Sequence, residues 1–343
     1  MATKINNFET IWINAARFIA AFAVVAIHCS SSKVSLNTEG LSVWLSGTLL
    51  NSFSRWSVPV FVIISGALLL KSKHETTLFE FYRKRGIKLL IPCFFWILVY
   101  LGIRFIADYK AHRPHNAMIY IQAVLDGKVF FYTWYIFMLT GLYLVTPFMQ
   151  KMLGGMNRRE TLWLIVVIWS LTLTNDWLMN NPENPLFLLW FLRYMGYYLM
   201  GYYLRYFVNL PKLPKIWLTA FIISSLVILY LRYHTDYLGQ NIPLLECKYT
   251  SPYVLLQAFF ITCFFISLEY NNQKINDICS RYAPFTLGIY LAHPIIIYVI
   301  DAVTKNCKIN SWILVPTMTI AVYFATLAMV LIFRKIPLLK AVV

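Results

Sequence analysis

Ten apolar runs of membrane-spanning length occupy most of this 343-residue chain, at about 10–30, 44–70, 87–107, 131–152, 161–177, 185–205, 214–232, 251–270, 283–301 and 311–333. A hydrocarbon layer about 30 Å thick needs roughly 20 apolar helical residues, because each advances the axis by ~1.5 Å. In lipid every backbone N–H and C=O must pair within its own segment or a closed barrel, and runs of this length do so as helices. The expected fold is all-α: a polytopic membrane protein of about ten transmembrane helices around an internal polar cavity. Span five is short and ends on the polar pair Asn175–Asp176. Residues 117–128 read as an interfacial amphipathic segment, too short to cross. The first run carries a charge within it and is followed by no A-x-A site, so it reads as a span rather than a cleaved signal. With no fixed-period repeat and no long linker, residues 1–343 read as one integral-membrane domain, with no soluble extracytoplasmic domain expected after span ten.

Composition closes the other routes. Hydrophobic residues make up 59% of the chain and charged ones 13%, against about 25% charge in a soluble domain. The net charge of +16 therefore has no broad polar face to sit on, and nucleic-acid binding is a poor fit. Six cysteines (Cys29, Cys93, Cys247, Cys263, Cys279 and Cys307) form no CxxC pair and no metal-ligand spacing with histidine, and read as buried, inert thiols.

The basic residues instead set an orientation. With the N-terminus in the cytoplasm, 18 lysines and arginines fall on the inner side and 8 on the outer. That bias favours ten spans with both termini cytoplasmic. The inner excess is densest at Arg83-Lys84-Arg85 and Lys88, at the cytoplasmic mouth of span three. Four further arginines lie within spans. Arg104 is near a span end and is expected to snorkel to the interface. Arg17, Arg55 and Arg193 lie deeper, where an ionisable group costs several kcal/mol unless it faces a cavity or a partner.

Arg17 and His28 are eleven residues apart in span one. At ~100° per residue they project from one helix face to within ~20°, separated by roughly 16 Å along the axis. Read alone, His28 is an interfacial anchor and Arg17 a packing cation. On one stripe they also describe a functional face: a group that accepts a hydroxyl proton near neutral pH, and a permanent cation suited to phosphate or carboxylate. The chain carries no H-x4-D pair of the soluble acyltransferase kind, no Walker loop, no H-E-x-x-H and no acidic cluster for a divalent metal, so no metal cofactor is expected.

Arg17-x10-His28 resembles the first-span signature of the membrane-bound acyltransferase-3 family. Asn51-Ser-Phe-Ser-Arg55-Trp-Ser-Val-Pro59 with Ile64-Ser65-Gly66 resembles its second span. Arg85-x2-Lys88-x3-Pro92 resembles its basic turn, with Lys88 where Arg is usual. Trp134-Tyr135 with Tyr143-Leu-Val-Thr-Pro147 is similar to its fourth span, and Gly288-Ile289-Tyr290-Leu291-Ala-His293 to a late one. One departure is that Arg17 follows Asn14-Ala-Ala rather than Asp-x-Leu and precedes Phe18 rather than Gly.

The resemblance implies a multi-pass enzyme of the bacterial inner membrane that moves an acyl group, usually acetyl from acetyl-CoA, onto a sugar hydroxyl of a surface polysaccharide or glycolipid. Its partners would be acyl-CoA, membrane lipid and a glycan acceptor; a homodimer is compatible with the sequence. His28 would be the base, or would carry the acyl group transiently. Arg83, Lys84, Arg85 and Lys88 would dock the CoA phosphates, or simply enforce topology, and Arg17 would guide the donor inward. Ser54, Arg55 and Trp134 would form the acceptor pocket, with Trp134 stacking on a sugar face and Arg55 binding hydroxyl or carboxylate groups; an aromatic belt is the competing reading of Trp134. His293, with Tyr290 one turn earlier, is either a packing histidine or part of the site. The alternative function is a transporter or flippase for a lipid-linked sugar, which needs the arginines but has little need of a titrating His28.

Overall fold

A computed structural model describes residues 2–34, 39–71, 77–114, 116–126, 129, 133–178, 190–240, 242, 245–304 and 309–343. Side chains are described within these except at 2–9, 125 and 175–178. Among the described residues the chain is entirely helical, with no strand. The helices are α1 (Ala2–Val34), α2 (Leu41–Ser54), α3 (Ser57–Leu69), α4 (Leu78–Phe81), α5 (Ile87–Lys110), α6 (Ala117–Leu125), α7 (Trp134–Gly154), α8 (Arg158–Leu178), α9 (Trp190–Tyr206), α10 (Pro214–Arg232), α11 (Pro252–Ser267), α12 (Gln273–Tyr282), α13 (Thr286–Thr304) and α14 (Ser311–Phe333).

Each of the ten apolar runs contains a helix. Among the described residues, seven helical segments are long and apolar enough to cross a membrane: Thr10–Val34, Leu41–Leu69, Leu78–Lys110, Trp134–Gly154, Pro214–Tyr237, Gln273–Thr304 and Ser311–Phe333. Runs five, six and eight are α8, α9 and α11; of these α11 is apolar but only 16 residues long. Span six begins in sequence at 185, but its first residues lie outside the described ones, as do Cys307 and Lys128.

α1 is the hub. It packs against α2, α3, α11, α12, α13 and α14, and its alanines at 15, 16, 20, 21, 23 and 26 are all buried. Small side chains let neighbouring helices approach closely, the usual packing device where lipid supplies no hydrophobic drive between helices. α3 and α9 take this to its limit. A Cβ on Gly66 would lie 1.8 Å from the carbonyl oxygen of Tyr198, and one on Gly201 would lie 1.8 Å from that of Ile63. The two backbones touch reciprocally, which gives the Ile64-Ser65-Gly66 wording of span two a steric reason.

Span two is broken rather than continuous. α2 ends at Ser54, Arg55 and Trp56 form a turn, and α3 restarts at Ser57. Pro59 has no N–H, so the Arg55 carbonyl four residues earlier loses its helical donor. The ladder resumes with Val60 N–H to the Trp56 carbonyl, 3.0 Å. Arg55 therefore sits at a break in the helix. A second irregularity lies before α5, where Tyr82–Gly86 form a π-helical turn carrying the basic cluster. The Tyr82 hydroxyl donates to the Leu144 carbonyl of α7 at 2.7 Å, which fixes that turn against the bundle.

Arg104 lies near the end of α5, as expected, and has a partner there. It pairs with Asp108 one turn on, at 3.7 Å, and lies 5.9 Å from the Tyr120 ring of α6. Asp108 is buried, pairs also with Arg113 at 3.6 Å and accepts from the Tyr120 hydroxyl at 3.3 Å. This cluster ties α6 to the end of α5.

A candidate active site on the inner face of the first helix

His28 projects from α1 onto His293 of α13. The two imidazoles stack with centroids 5.1 Å apart and planes inclined by 27°. His293 is fully buried, and its Nδ1 lies 3.1 Å from the Ile289 carbonyl. A carbonyl can only accept, so Nδ1 carries the proton and Nε2 keeps a lone pair. Pro294 follows directly and interrupts the α13 ladder.

A chain of rings leads from this pair along the stripe predicted for α1. His293 meets Tyr290 at 5.8 Å, and Tyr290 meets Tyr135 of α7 at 4.8 Å. Arg17 lies in the electrostatic neighbourhood of Tyr143, Tyr135 and Arg85. Tyr135 of α7 thus meets Tyr290 of α13 directly and is also one of the groups whose charge Arg17 feels, as is Arg85 of the basic turn. In that turn Arg83, Lys84 and Arg85 are exposed, as is Lys88 at the start of α5. Arg83 lies 5.8 Å from the Phe79 ring.

The acceptor residues expected from sequence come together through a residue the sequence reading did not single out. Trp134 and Arg55 both flank Tyr249: the Trp134 ring is 5.7 Å from it and the Arg55 guanidinium 5.3 Å. Trp134 also meets Tyr194, next to Arg193 on α9, at 5.6 Å, so it belongs to an inward aromatic group. Ser54 is buried beside the break in span two.

Arg232, at the end of the seventh apolar run, is one of the 8 outer basic residues by position, and the structure buries it. Its Nε donates to Asp236 at 2.8 Å and its Nη1 to the Asn51 side-chain carbonyl at 2.8 Å. Asn51 accepts from Arg55 Nη1 at 3.2 Å and donates to the Ile27 carbonyl at 3.1 Å and the Ser30 hydroxyl at 3.2 Å. These last two contacts bracket His28 on α1. The available signal was spacing: Asn51 with Arg55, and Arg232 with Asp236, are both i,i+4 pairs on helical segments.

These residues border a cleft of about 390 Å³ lined by Arg55, Arg232, Asp236, Gln240, Glu246 and Lys248, among others. Gly239, at φ +68°, makes the turn that brings Gln240 back onto His234. Cys247 forms part of the wall; burial pushes its thiol up to about 11 although Arg55 and Arg232 pull the other way, so it is protonated at neutral pH. Cys29, Cys93, Cys263 and Cys279 are likewise free and buried.

The acyltransferase domain family model matches residues 10–335, nearly the whole chain. The chain belongs to the acyltransferase-3 family. No curated protein and no solved structure matches it. Its described residues hold two polar groupings inside the helical body, the His28–His293 pair with the rings that follow it and the Arg55–Asn51–Arg232 network.

Proposed function

We propose that this acyltransferase moves an acetyl group from cytosolic acetyl-CoA to a sugar hydroxyl of a surface polysaccharide or lipid-linked glycan, with His28 as general base. The observation that carries the reading is the His28–His293 stack, 5.1 Å apart, at one end of a ring relay whose other end is Arg17 and the basic turn. His28 takes the hydroxyl proton as the sugar oxygen attacks the thioester carbon. The tetrahedral intermediate then collapses, the C–S bond breaks, and the proton returns to the CoA sulfur. His293 restricts the orientation of the His28 ring, and its Nδ1 bond to the Ile289 carbonyl keeps Nε2 as an acceptor.

Arg83, Lys84, Arg85 and Lys88 bind the CoA phosphates at the cytoplasmic mouth, and Arg17 receives the donor's inner end. Ser54, Arg55, Trp134 and Tyr290 border the acceptor. The charge bias supports ten crossings with both termini cytoplasmic, in a bacterial inner membrane. The wording of the second span looks most like the enterobacterial common antigen O-acetyltransferase, which favours a glycolipid acceptor.

The test is acetyl-CoA-dependent release of CoA by the nanodisc-reconstituted protein supplied with a glycan acceptor. The reading expects turnover in the wild type and none in His28→Ala. A transporter would move the glycan without releasing CoA, and would keep that activity in His28→Ala.

A further inference from the structure

We propose that the cleft between Arg55, Arg232 and the segment that follows α10 binds an anionic group, a carboxylate or phosphate, carried by the acceptor sugar. This rests on the acyltransferase reading of the site and narrows it to a charged acceptor.

The cleft holds unspent positive charge. Three cations and two carboxylates line the cleft. Asp236 is engaged by Arg232 at 2.8 Å and Glu246 by Lys248 at 2.6 Å. Among the described residues no carboxylate lies within ion-pair distance of Arg55. Its Nη1 donates to Asn51, whose carbonyl oxygen also accepts from Arg232, and its flat face lies against Tyr249. Its Nε–H is buried and meets no acceptor among the described residues. A half-buried guanidinium with its charge uncompensated and a donor unused is costly to hold in a membrane protein, and an anion repays both at once. A neutral hydroxyl would satisfy the donor but leave the charge.

The surroundings fix the geometry such an anion would meet. The guanidinium cannot swing freely, because Asn51 and Tyr249 hold its end and its face. Asn51 also bonds to the α1 turn that carries His28, through Ile27 and Ser30. A sugar anchored by its charge at Arg55 is therefore held from the element that bears the base. Anchoring of this kind lowers the entropic cost of placing one hydroxyl for attack. The single excess positive charge of the lining suits a monoanion such as a uronate better than a dianionic phosphate.

The test compares methyl β-D-glucuronide, methyl β-D-glucoside 6-phosphate and neutral methyl β-D-glucoside by titration calorimetry on the full-length protein in nanodiscs. CoA release from acetyl-CoA is followed in parallel. At least one charged sugar is expected to bind about tenfold or more tightly than the neutral one, and added salt should narrow the difference. The stronger of the two charged sugars identifies the source of the charge. Arg55→Gln should bring charged and neutral sugars level, while Arg55→Lys keeps part of the preference.

Equal affinity for charged and neutral rings, including no measurable binding of any, overturns the inference. So does a preference that survives in Arg55→Gln. The wild-type comparison stands even if that variant fails to fold. Discrimination in binding without CoA release would uphold the anion site and remove the acyltransferase reading. CoA release without discrimination would do the reverse.

Discussion

At the scale of single residues, chemistry concentrates where polar groups are held against each other inside an apolar body. His293 is the sharpest case. A histidine buried only for packing needs its polar atoms satisfied, and the Ile289 carbonyl does this for Nδ1. Its ring face is presented to His28, and under the proposed mechanism that contact orients the base. Accordingly, His293→Gln, which keeps a donor for that carbonyl, should lower kcat by about 10²-fold with KM for acetyl-CoA unchanged. Steady-state kinetics alongside a melting curve check this; a loss of melting temperature with kcat preserved would reduce His293 to packing. Arg17 and His28 were legible in the sequence because helical geometry alone decides that eleven residues return to one face. Arg232 was not legible, because its burial depends on α10 packing against α2 and on Asn51 reaching across. Tyr249 was missed for the same reason: it lies in a connecting segment whose path no periodicity specifies.

Among elements, the broken span two and its close partner α9 set the frame for Arg55. The apolar run at 44–70 gave the length and place of the span. The break at 55–56 follows from Pro59, whose effect falls four residues upstream. In the sequence Gly66 is one letter of a motif; its steric role depends on α9, which lies against it. Two glycines now give opposite expectations. Gly66→Ala drives a methyl into the Tyr198 carbonyl and should cost about 3 kcal/mol. Gly102→Ala, on the exposed face of α5 with nothing within 4 Å, should be neutral or stabilise by up to about 1 kcal/mol through helix propensity. Thermal melts of the two purified variants in one detergent test the pair. Equal melting temperatures would contradict the close approach of α3 and α9.

For the whole molecule, the charge of +16 bears on the proposed orientation, since most basic residues fall on one side of the ten runs. Helices occupy all ten apolar runs, yet among the described residues seven segments have the length and apolarity of a crossing by themselves. α8, α9 and α11 depend on their neighbours: α9 carries Arg193 and many tyrosines, and α11 is short. Sequence hydropathy therefore located the helices well and the number of crossings less directly. Ten crossings place both termini in the cytoplasm, whereas seven would separate them. A C-terminal green fluorescent protein fusion should fluoresce in cells and an alkaline phosphatase fusion at the same point should be inactive. The opposite pattern would mean an odd number of crossings.

The central claim is that His28 performs proton transfer in an acyl-transfer reaction, and acetyl-CoA turnover by matched wild-type and His28→Ala protein in nanodiscs tests it most directly. The account predicts that the variant keeps the wild-type melting temperature and loses CoA release by about 10²- to 10⁴-fold. A folded His28→Ala protein that still releases CoA at the wild-type rate would contradict it.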